Sequence, residues 1–172
     1  MFFSSATSSY QRRLRFFLPI ALLLLLASFT FMQQNLRFRL LNGYELNADA
    51  TLNKAKPTLF ISEKADTFGQ LFQAESGTGK HPDKPNFSSE MVIGIVLPAT
   101  SKPPKLSVSR VFVQDSMLTI RYIRVADTTL TNNPKPTSEK PTLVVAIPRQ
   151  AILKARLGEN GKVVQTIQKK DV

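Results

Sequence analysis

The chain has 172 residues and no cysteine, which excludes disulfides, thiolate metal sites and cysteine nucleophiles. Its formal charge is +11, and five of its arginines lie before residue 40, where there are no acids. The remaining 18 cations and all 12 acids are scattered over residues 40–172. Nucleic-acid-binding proteins usually concentrate their cations on one stripe with aromatic residues between them, a pattern that this sequence lacks, and we expect no nucleic-acid partner.

Residues 16–32 form an uncharged apolar run, FFLPIALLLLLASFTFM. As a helix this run would cover about 26 Å, slightly less than the ~30 Å hydrocarbon core of a bilayer. Arg12, Arg13 and Arg15 precede it, and by the positive-inside rule they keep residues 1–15 in the cytoplasm while the rest of the chain is exported. The sequence therefore predicts one transmembrane signal-anchor at 16–32.

A cleaved signal peptide is the alternative interpretation of this apolar run. Cleavage requires small residues at positions −3 and −1 soon after the apolar segment. The residues available near Met32 are Phe29, Phe31, Gln33 and Gln34, which do not fit this requirement. We therefore favour retention in the membrane, with the C-terminal part outside the cytoplasm, and in the periplasm if the cell has an outer membrane.

The segment after the anchor, residues 33–56, mixes small, polar and charged types without a period, which predicts a linker. The exported domain is predicted to cover residues 57–172. It begins with a short apolar strand at 58–61, followed by an amphipathic helix over 63–74 with Ser62 as its N-cap. A fragment that starts near the first strand is expected to fold alone.

From residue 90 onward the sequence has the patterns of β-strands. Asn160-Gly161 is a two-residue turn in which both positions tolerate positive φ, and it predicts a hairpin. The predicted strands are 90–97, 105–113, 117–125, 143–147, 152–157 and 163–167. Together with the one short helix they predict a mainly β fold, a single antiparallel sandwich-like or half-barrel domain preceded by one transmembrane helix.

No residue is predicted to be catalytic, cofactor-binding or metal-ligating. Residues 77–80 (Gly-Thr-Gly-Lys) lack the earlier glycine and the following Ser or Thr of a phosphate-binding loop. His81 is the only histidine, and the acids do not have the spacing of a calcium-binding loop. We expect no enzymatic activity, no cofactor and no small-molecule ligand, with a small envelope hydrolase whose site is unrecognised as the alternative.

Residues 126–141 form a polar, proline-containing connection that is long for a link between two strands. Two interpretations are open: a crossover without a contact role, or a loop that contacts a partner. The second gains support from the turn at 100–105, which we expect at the same end of the domain.

The stretch from Asn86 to Pro148 resembles the PrcB-type C-terminal domain, which belongs to the small accessory subunit of a bacterial cell-surface protease complex. The matching features are Asn86-Phe87-Ser88-Ser89-Glu90-Met91-Val92, Pro103-Pro104, the strands at 106–113 and 117–125, and the apolar strand that ends at Ile147-Pro148. Asn86 stands where that family usually has Asp, and residues 101–105 replace its Thr-Gly-Gly-Tyr turn. The resemblance implies a non-catalytic envelope domain that supports another protein.

The function expected from the sequence is that of a membrane-anchored envelope protein with a non-catalytic, β-rich protein-binding or scaffolding module. Its predicted partners are the membrane, through residues 16–32, and a protein. A further alternative is a structural subunit of a membrane complex, in which the anchor itself makes the contact.

Overall fold

The computed structural model describes residues 33–75, 81–130 and 133–168, which fold mainly as β-strands. Apart from the strands, these described residues contain one helix, α1 (Ala65–Leu71), and one 3-10 turn (Thr128–Leu130). The strands are β1 (Gln34–Asn35), β2 (Arg39–Leu40), β3 (Tyr44–Leu46), β4 (Thr58–Ser62), β5 (Phe72–Ala74), β6 (Glu90–Val96), β7 (Lys105–Gln114), β8 (Met117–Val125), β9 (Thr142–Pro148), β10 (Lys154–Glu159) and β11 (Lys162–Gln168).

The strands form three sheets. Sheet A has the order β1-β7-β8-β10-β11, sheet B has the order β2-β9-β6-β4, and β3 pairs with β5 in sheet C. The prediction of a mainly β fold is confirmed, but sheet A is mixed because β8 and β10 run parallel, with Lys154 opposite Met117 and Glu159 opposite Tyr122. The antiparallel prediction is wrong at this pair because the chain leaves sheet A after β8, adds β9 to sheet B and then returns beside β8.

Sheets A and B share one apolar core, since alternate residues of a strand point to the same face. From β8 this core receives Leu118, Ile120 and Tyr122, each at most 1% exposed. Sheet B contributes Ile93 and Val145, which are equally buried. The described part of the chain is therefore built on two sheets that pack around one core.

The other face of sheet B is buried as well. A second cluster, which includes Phe68 of α1 and Phe72 of β5, covers it. The Phe72 ring lies directly on Gly94 of β6: a Cβ atom at Gly94 would come within 2.2 Å of Phe72 Cζ. Strands β6 and β9 thus have apolar neighbours on both sides, which explains why their sequences are continuous apolar runs and do not alternate.

Residues 33–46 belong to the folded part, although the sequence predicted a linker over 33–56. Strands β1, β2 and β3 pair with β7, β9 and β5 respectively. Leu36, Leu41 and Leu46 are each no more than 8% exposed. Strands of two or three residues are too short to carry a readable period, so no sequence pattern indicates them. The compact unit begins at Gln33 and not at residue 57.

The helix is shorter than predicted. It covers Ala65–Leu71, and at Phe72 the backbone becomes extended (φ −129°, ψ 138°) because β5 pairs with β3. The predicted N-cap, Ser62, is the last residue of β4 and is opposite Val92 in sheet B. The residue in the N-cap position is Lys64, whose side chain makes no capping hydrogen bond.

The hairpin predicted at Asn160-Gly161 is confirmed, and β7 and β8 form a second hairpin. At the β10–β11 turn Asn160 and Gly161 have φ values of 47° and 86°, and Glu159 pairs with Lys162. At the β7–β8 turn Asp115 and Ser116 have φ values of 50° and 58°, and Gln114 pairs with Met117. Both are two-residue turns with left-handed central residues, which match the twist of the strands they join.

The predicted transmembrane segment, 16–32, lies outside the described residues. Within residues 33–75, 81–130 and 133–168, no helix has the length and apolar character needed to cross a membrane.

The role of the N-terminal segment (33–46) predicts how truncated fragments behave. A fragment that begins at Gln33 should fold, whereas one that begins at Thr58 should lose several kcal/mol of stability or fail to fold. The reason is that it lacks three buried leucines, whose truncation in a core costs roughly 2–5 kcal/mol each. Urea denaturation followed by circular dichroism measures the difference. Equal unfolding midpoints for the two fragments would show that β1–β3 contribute nothing.

Candidate functional site

The turn at 100–105 and the connection between β8 and β9 meet at one end of the domain, as the sequence led us to expect. Thr100 and Glu139 form an antiparallel β-bridge with two backbone hydrogen bonds, whose N···O distances are 2.9 and 3.0 Å. The N–H of Lys135 also donates to the carbonyl of Ser101 at 2.8 Å. The connection is therefore held against the turn and is more than a tether between two strands.

The start of this connection is fixed by Asp127. The hydroxyl and the N–H of Thr129 donate to its carboxylate at 2.6 and 3.0 Å, and Lys105 lies 3.6 Å away. These hydrogen bonds from Thr129, with a smaller contribution from Lys105, hold the pKa of Asp127 below its ordinary value. The carboxylate thus stays ionised and ties the connection to the first residue of β7.

Two surface cavities lie at this end, with volumes of about 670 and 400 Å³. Leu40 and Tyr44 line the larger cavity, while Pro103 and Leu130 line the smaller one. Both are bordered by the same five residues, which are Leu106, Glu139, Pro141, Thr142 and Leu143. We call residues 100–106, 127–130 and 133–143, together with Leu40 and Tyr44 of the larger cavity, the open end.

Strand β7 has an uncovered edge next to the open end. Among the described residues, β1 pairs with β7 only at Phe112 and Val113, and the N–H of Leu36 adds one hydrogen bond to the carbonyl of Val111 at 2.9 Å. On that side, no described strand pairs with the first half of β7, from Lys105 to Arg110. This half of the edge therefore has no strand neighbour.

Strand β9 has a similar edge. The two residues of β2 pair with Val145 and Ala146, and the N–H of Leu41 donates to the carbonyl of Val144 at 2.9 Å. Thr142 and Leu143, at the start of β9, have no strand partner on this side in the described part of the chain. Uncovered edges present free backbone N–H and C=O groups to which another chain can add a strand.

Three leucine side chains lie beside these edges. Leu106 and Leu143 are half-buried, and Leu40 is 45% exposed. A bound segment would thus find backbone partners on the strand edges and apolar contacts for alternate side chains, which is how extended peptides are recognised. Recognition of this kind involves no covalent chemistry.

A second polar cluster lies at the end of β8, where the Tyr122 hydroxyl donates a short hydrogen bond to Glu159. Glu159 also lies 3.6 Å from the guanidinium of Arg124, and Asn160 bonds to the backbone of both Tyr122 and Arg124. Burial, and then the hydrogen bond and charge of Glu159, raise the pKa of Tyr122. Neither Tyr122 nor Glu159 lines the cavities at the open end, so we assign this cluster a structural role in joining the β10–β11 turn to β8.

Candidate metal ligands are not brought together in the described ranges 33–75, 81–130 and 133–168. No group of three His, Asp or Glu side chains is placed there to hold a metal ion. His81 is exposed, while residues 77–80 lie outside these ranges.

No model of a protein family, no curated protein and no solved structure matches this chain. The resemblance to PrcB-type domains therefore stays a prediction. In the structure, the resembling stretch begins at a turn in which Asn86 Oδ1 accepts hydrogen bonds from the N–H and hydroxyl of Ser88. It then continues through β6, β7, β8 and β9.

The sequence did not reveal a group of cations on sheet A. Arg110, Arg121, Lys154 and Arg156 belong to three different strands, and the strand register places them all on the outer face of the sheet. Each of β7, β8 and β10 has one outward-facing arginine. That these arginines share one surface can be recognised only when the pairing of the three strands is known.

Replacing Tyr122 with Phe should lower stability at neutral pH by about 1–3 kcal/mol, the usual contribution of a hydrogen bond to a charged group. The raised pKa means that the folded protein keeps the phenol proton while the unfolded chain loses it above its ordinary pKa of 10.0. The contribution of Tyr122 is thus present below about pH 10 and lost as the pH rises further.

Urea denaturation at neutral pH and above pH 10.0 tests this. The stability of Tyr122→Phe should fall less steeply with alkali than that of the native protein. Tyr44→Phe is the matched control at neutral pH, because no hydrogen bond of the Tyr44 hydroxyl occurs within the described residues, and it should lose less stability there. Parallel alkaline profiles for the native protein and Tyr122→Phe would contradict the assignment.

Proposed function

We propose that this chain is a membrane-anchored envelope protein whose sandwich-like β domain binds a protein partner without catalysis. The observation that carries the proposal is the pair of uncovered strand edges, on β7 and β9, at the open end. The bound segment adds to one of these edges as an extra strand, and its side chains occupy the neighbouring cavities.

The composition of the open end favours a protein segment as the ligand. Leu40, Leu106 and Leu143 supply apolar contacts, while the Lys135–Glu139 ion pair, at 2.7 Å, neutralises the charge of the connection. A groove with mixed polar and apolar lining beside uncovered strand edges suits an extended peptide better than a polyanion. The resemblance to an accessory subunit agrees with this role.

The uncharged run at 16–32 supports the anchor, and it predicts that the full-length protein stays in the membrane fraction after alkaline extraction. The run is long enough to span the bilayer with interfacial residues at its ends, and no suitable cleavage site follows it. Sequencing the mature N-terminus is the second measurement. A protein that begins near residue 33 or 51 would show that the segment is removed.

Binding at the open end can be tested with a photoreactive amino acid in place of Thr142, which borders both cavities. In cells the full-length protein should crosslink to one partner. Leu40→Asp should lower the yield of this product by about tenfold, because a carboxylate in an apolar contact costs on the order of 1–3 kcal/mol.

The matched control is Leu153→Asp. Leu153 is also an exposed leucine, at 66%, but it does not line either cavity of the open end. Both variants should melt at nearly the native temperature, since neither leucine is in the core. Equal crosslinking by Leu40→Asp and Leu153→Asp would place the partner elsewhere on the domain.

A further inference from the structure

Four cations that are in no ion pair among the described residues lie on the outer face of sheet A. Arg110 and Arg121 pair across β7 and β8, and Arg156 and Lys154 lie opposite the outward residues Thr119 and Met117 of β8. Arg156 is half-buried, and the other three cations are exposed. The cations therefore share one surface, because every second residue of a strand points to the same face.

The two exposed arginines of this face are fixed in position by Phe112. Their guanidinium carbons lie 5.1 Å (Arg110) and 5.5 Å (Arg121) from the ring centroid, within the range of cation–π attraction. Arg110 also donates from Nε to Oδ1 of Asn35 at 2.8 Å. None of the ion pairs found among the described residues involves these four cations.

Exposed aliphatic side chains lie on the same face. Ile123 and Val125 are the next two outward-facing residues of β8 after Arg121. Val163 is paired with Gly158, which lies opposite Arg121. They are 41%, 54% and 59% exposed. A surface that combines unpaired cations with exposed aliphatic groups matches the interface of an anionic bilayer, where the headgroups are charged and the acyl chains begin just below.

The beginning of the folded part also lies at this face. Gln33 lines a shallow cavity of about 390 Å³ together with Phe112, Arg121 and Arg156. The predicted span ends at Met32, one residue earlier. Chain connectivity alone therefore keeps Gln33 close to the bilayer surface if residues 16–32 are inserted.

We propose that the outer face of sheet A binds the headgroups of anionic phospholipids in the membrane that holds the anchor. This inference rests on the anchor of the proposed function but concerns a different surface from the open end. The arginines bind the phosphates, because a guanidinium fork matches phosphate oxygens, and the three aliphatic side chains reach the boundary of the acyl region.

The absence of cysteine allows a clean test with the full-length chain. Thr166, which is exposed and paired with Arg156, is replaced by Cys and labelled with a fluorophore. The protein is placed in nanodiscs of neutral phosphatidylcholine or of phosphatidylcholine with phosphatidylglycerol. Each disc also contains a lipid with a quencher on its headgroup. We expect at least about twofold stronger quenching in the anionic discs, because attraction of basic residues extends only about a Debye length from the surface.

Two charge variants locate the effect. Arg121→Glu with Arg156→Glu should abolish the additional quenching, whereas Lys54→Glu with Lys56→Glu, an equal change in net charge on an exposed loop off this face, should retain it. Lys154→Gln with Arg156→Gln is the milder variant, which should roughly halve the additional quenching. It keeps the test valid if charge reversal disturbs folding, which circular dichroism reveals.

Equal quenching in neutral and anionic discs, or loss of the effect in the Lys54/Lys56 control, would overturn the proposal. A protein that inserts in both discs without additional quenching overturns only this inference. One that fails to insert in either disc overturns the anchor and this inference together. A single-stranded oligonucleotide, an acidic peptide and anionic vesicles are also added as competitors at equal total negative charge. If the oligonucleotide or the peptide reduces the quenching more than the vesicles do, that polymer is the preferred ligand of the face and the proposal fails.

Discussion

The pairing of β6 with β9 is the constraint on which the rest of the structure depends. These strands are in register over seven residue pairs, from Glu90 opposite Pro148 to Val96 opposite Thr142, and both faces of the pair are buried. Sheet A packs on one face, and α1 with sheet C packs on the other. Gly94 is the point where the second layer comes closest, since Phe72 occupies the space that a Cβ atom would fill. A larger residue there would push α1 and β5 away from the sheet.

The parts of the fold that the sequence predicted are those set by local patterns. Strands β6 to β9 and the β10–β11 hairpin have long apolar or alternating runs, or a turn such as Asn160-Gly161 that permits little else. Strands β1 to β3 were not predicted, because two or three residues carry no period. These strands form only through their pairing with strands that are distant in the sequence. The parallel pairing of β8 with β10 escaped for another reason: its direction follows from a connection that passes through the other sheet.

The candidate site was predictable only in part. The turn at 100–105 joins β6 to β7 and the connection at 126–141 joins β8 to β9, so both had to leave the sheets at strand ends, and their contact through Thr100 and Glu139 agrees with that. The uncovered edges of β7 and β9 had no signal in the sequence, because they depend on how short β1 and β2 are. The cations around Phe112 depend in the same way on register, which single strands do not specify.

The two sides of the paired sheets are closed by different means, and the difference locates the open end. On one side the side chain of Gln165 in β11 accepts a hydrogen bond from the N–H of Leu59 in β4 at 2.8 Å. A side chain of one edge strand thus binds a backbone N–H of the other edge strand. On the other side the N-terminal segment adds β1 to sheet A and β2 to sheet B, but it covers only part of each neighbouring strand. Exposed edges invite association with other chains, and proteins usually cover them. An edge left uncovered beside half-buried leucines is thus a position where an added strand would gain both backbone hydrogen bonds and apolar contacts.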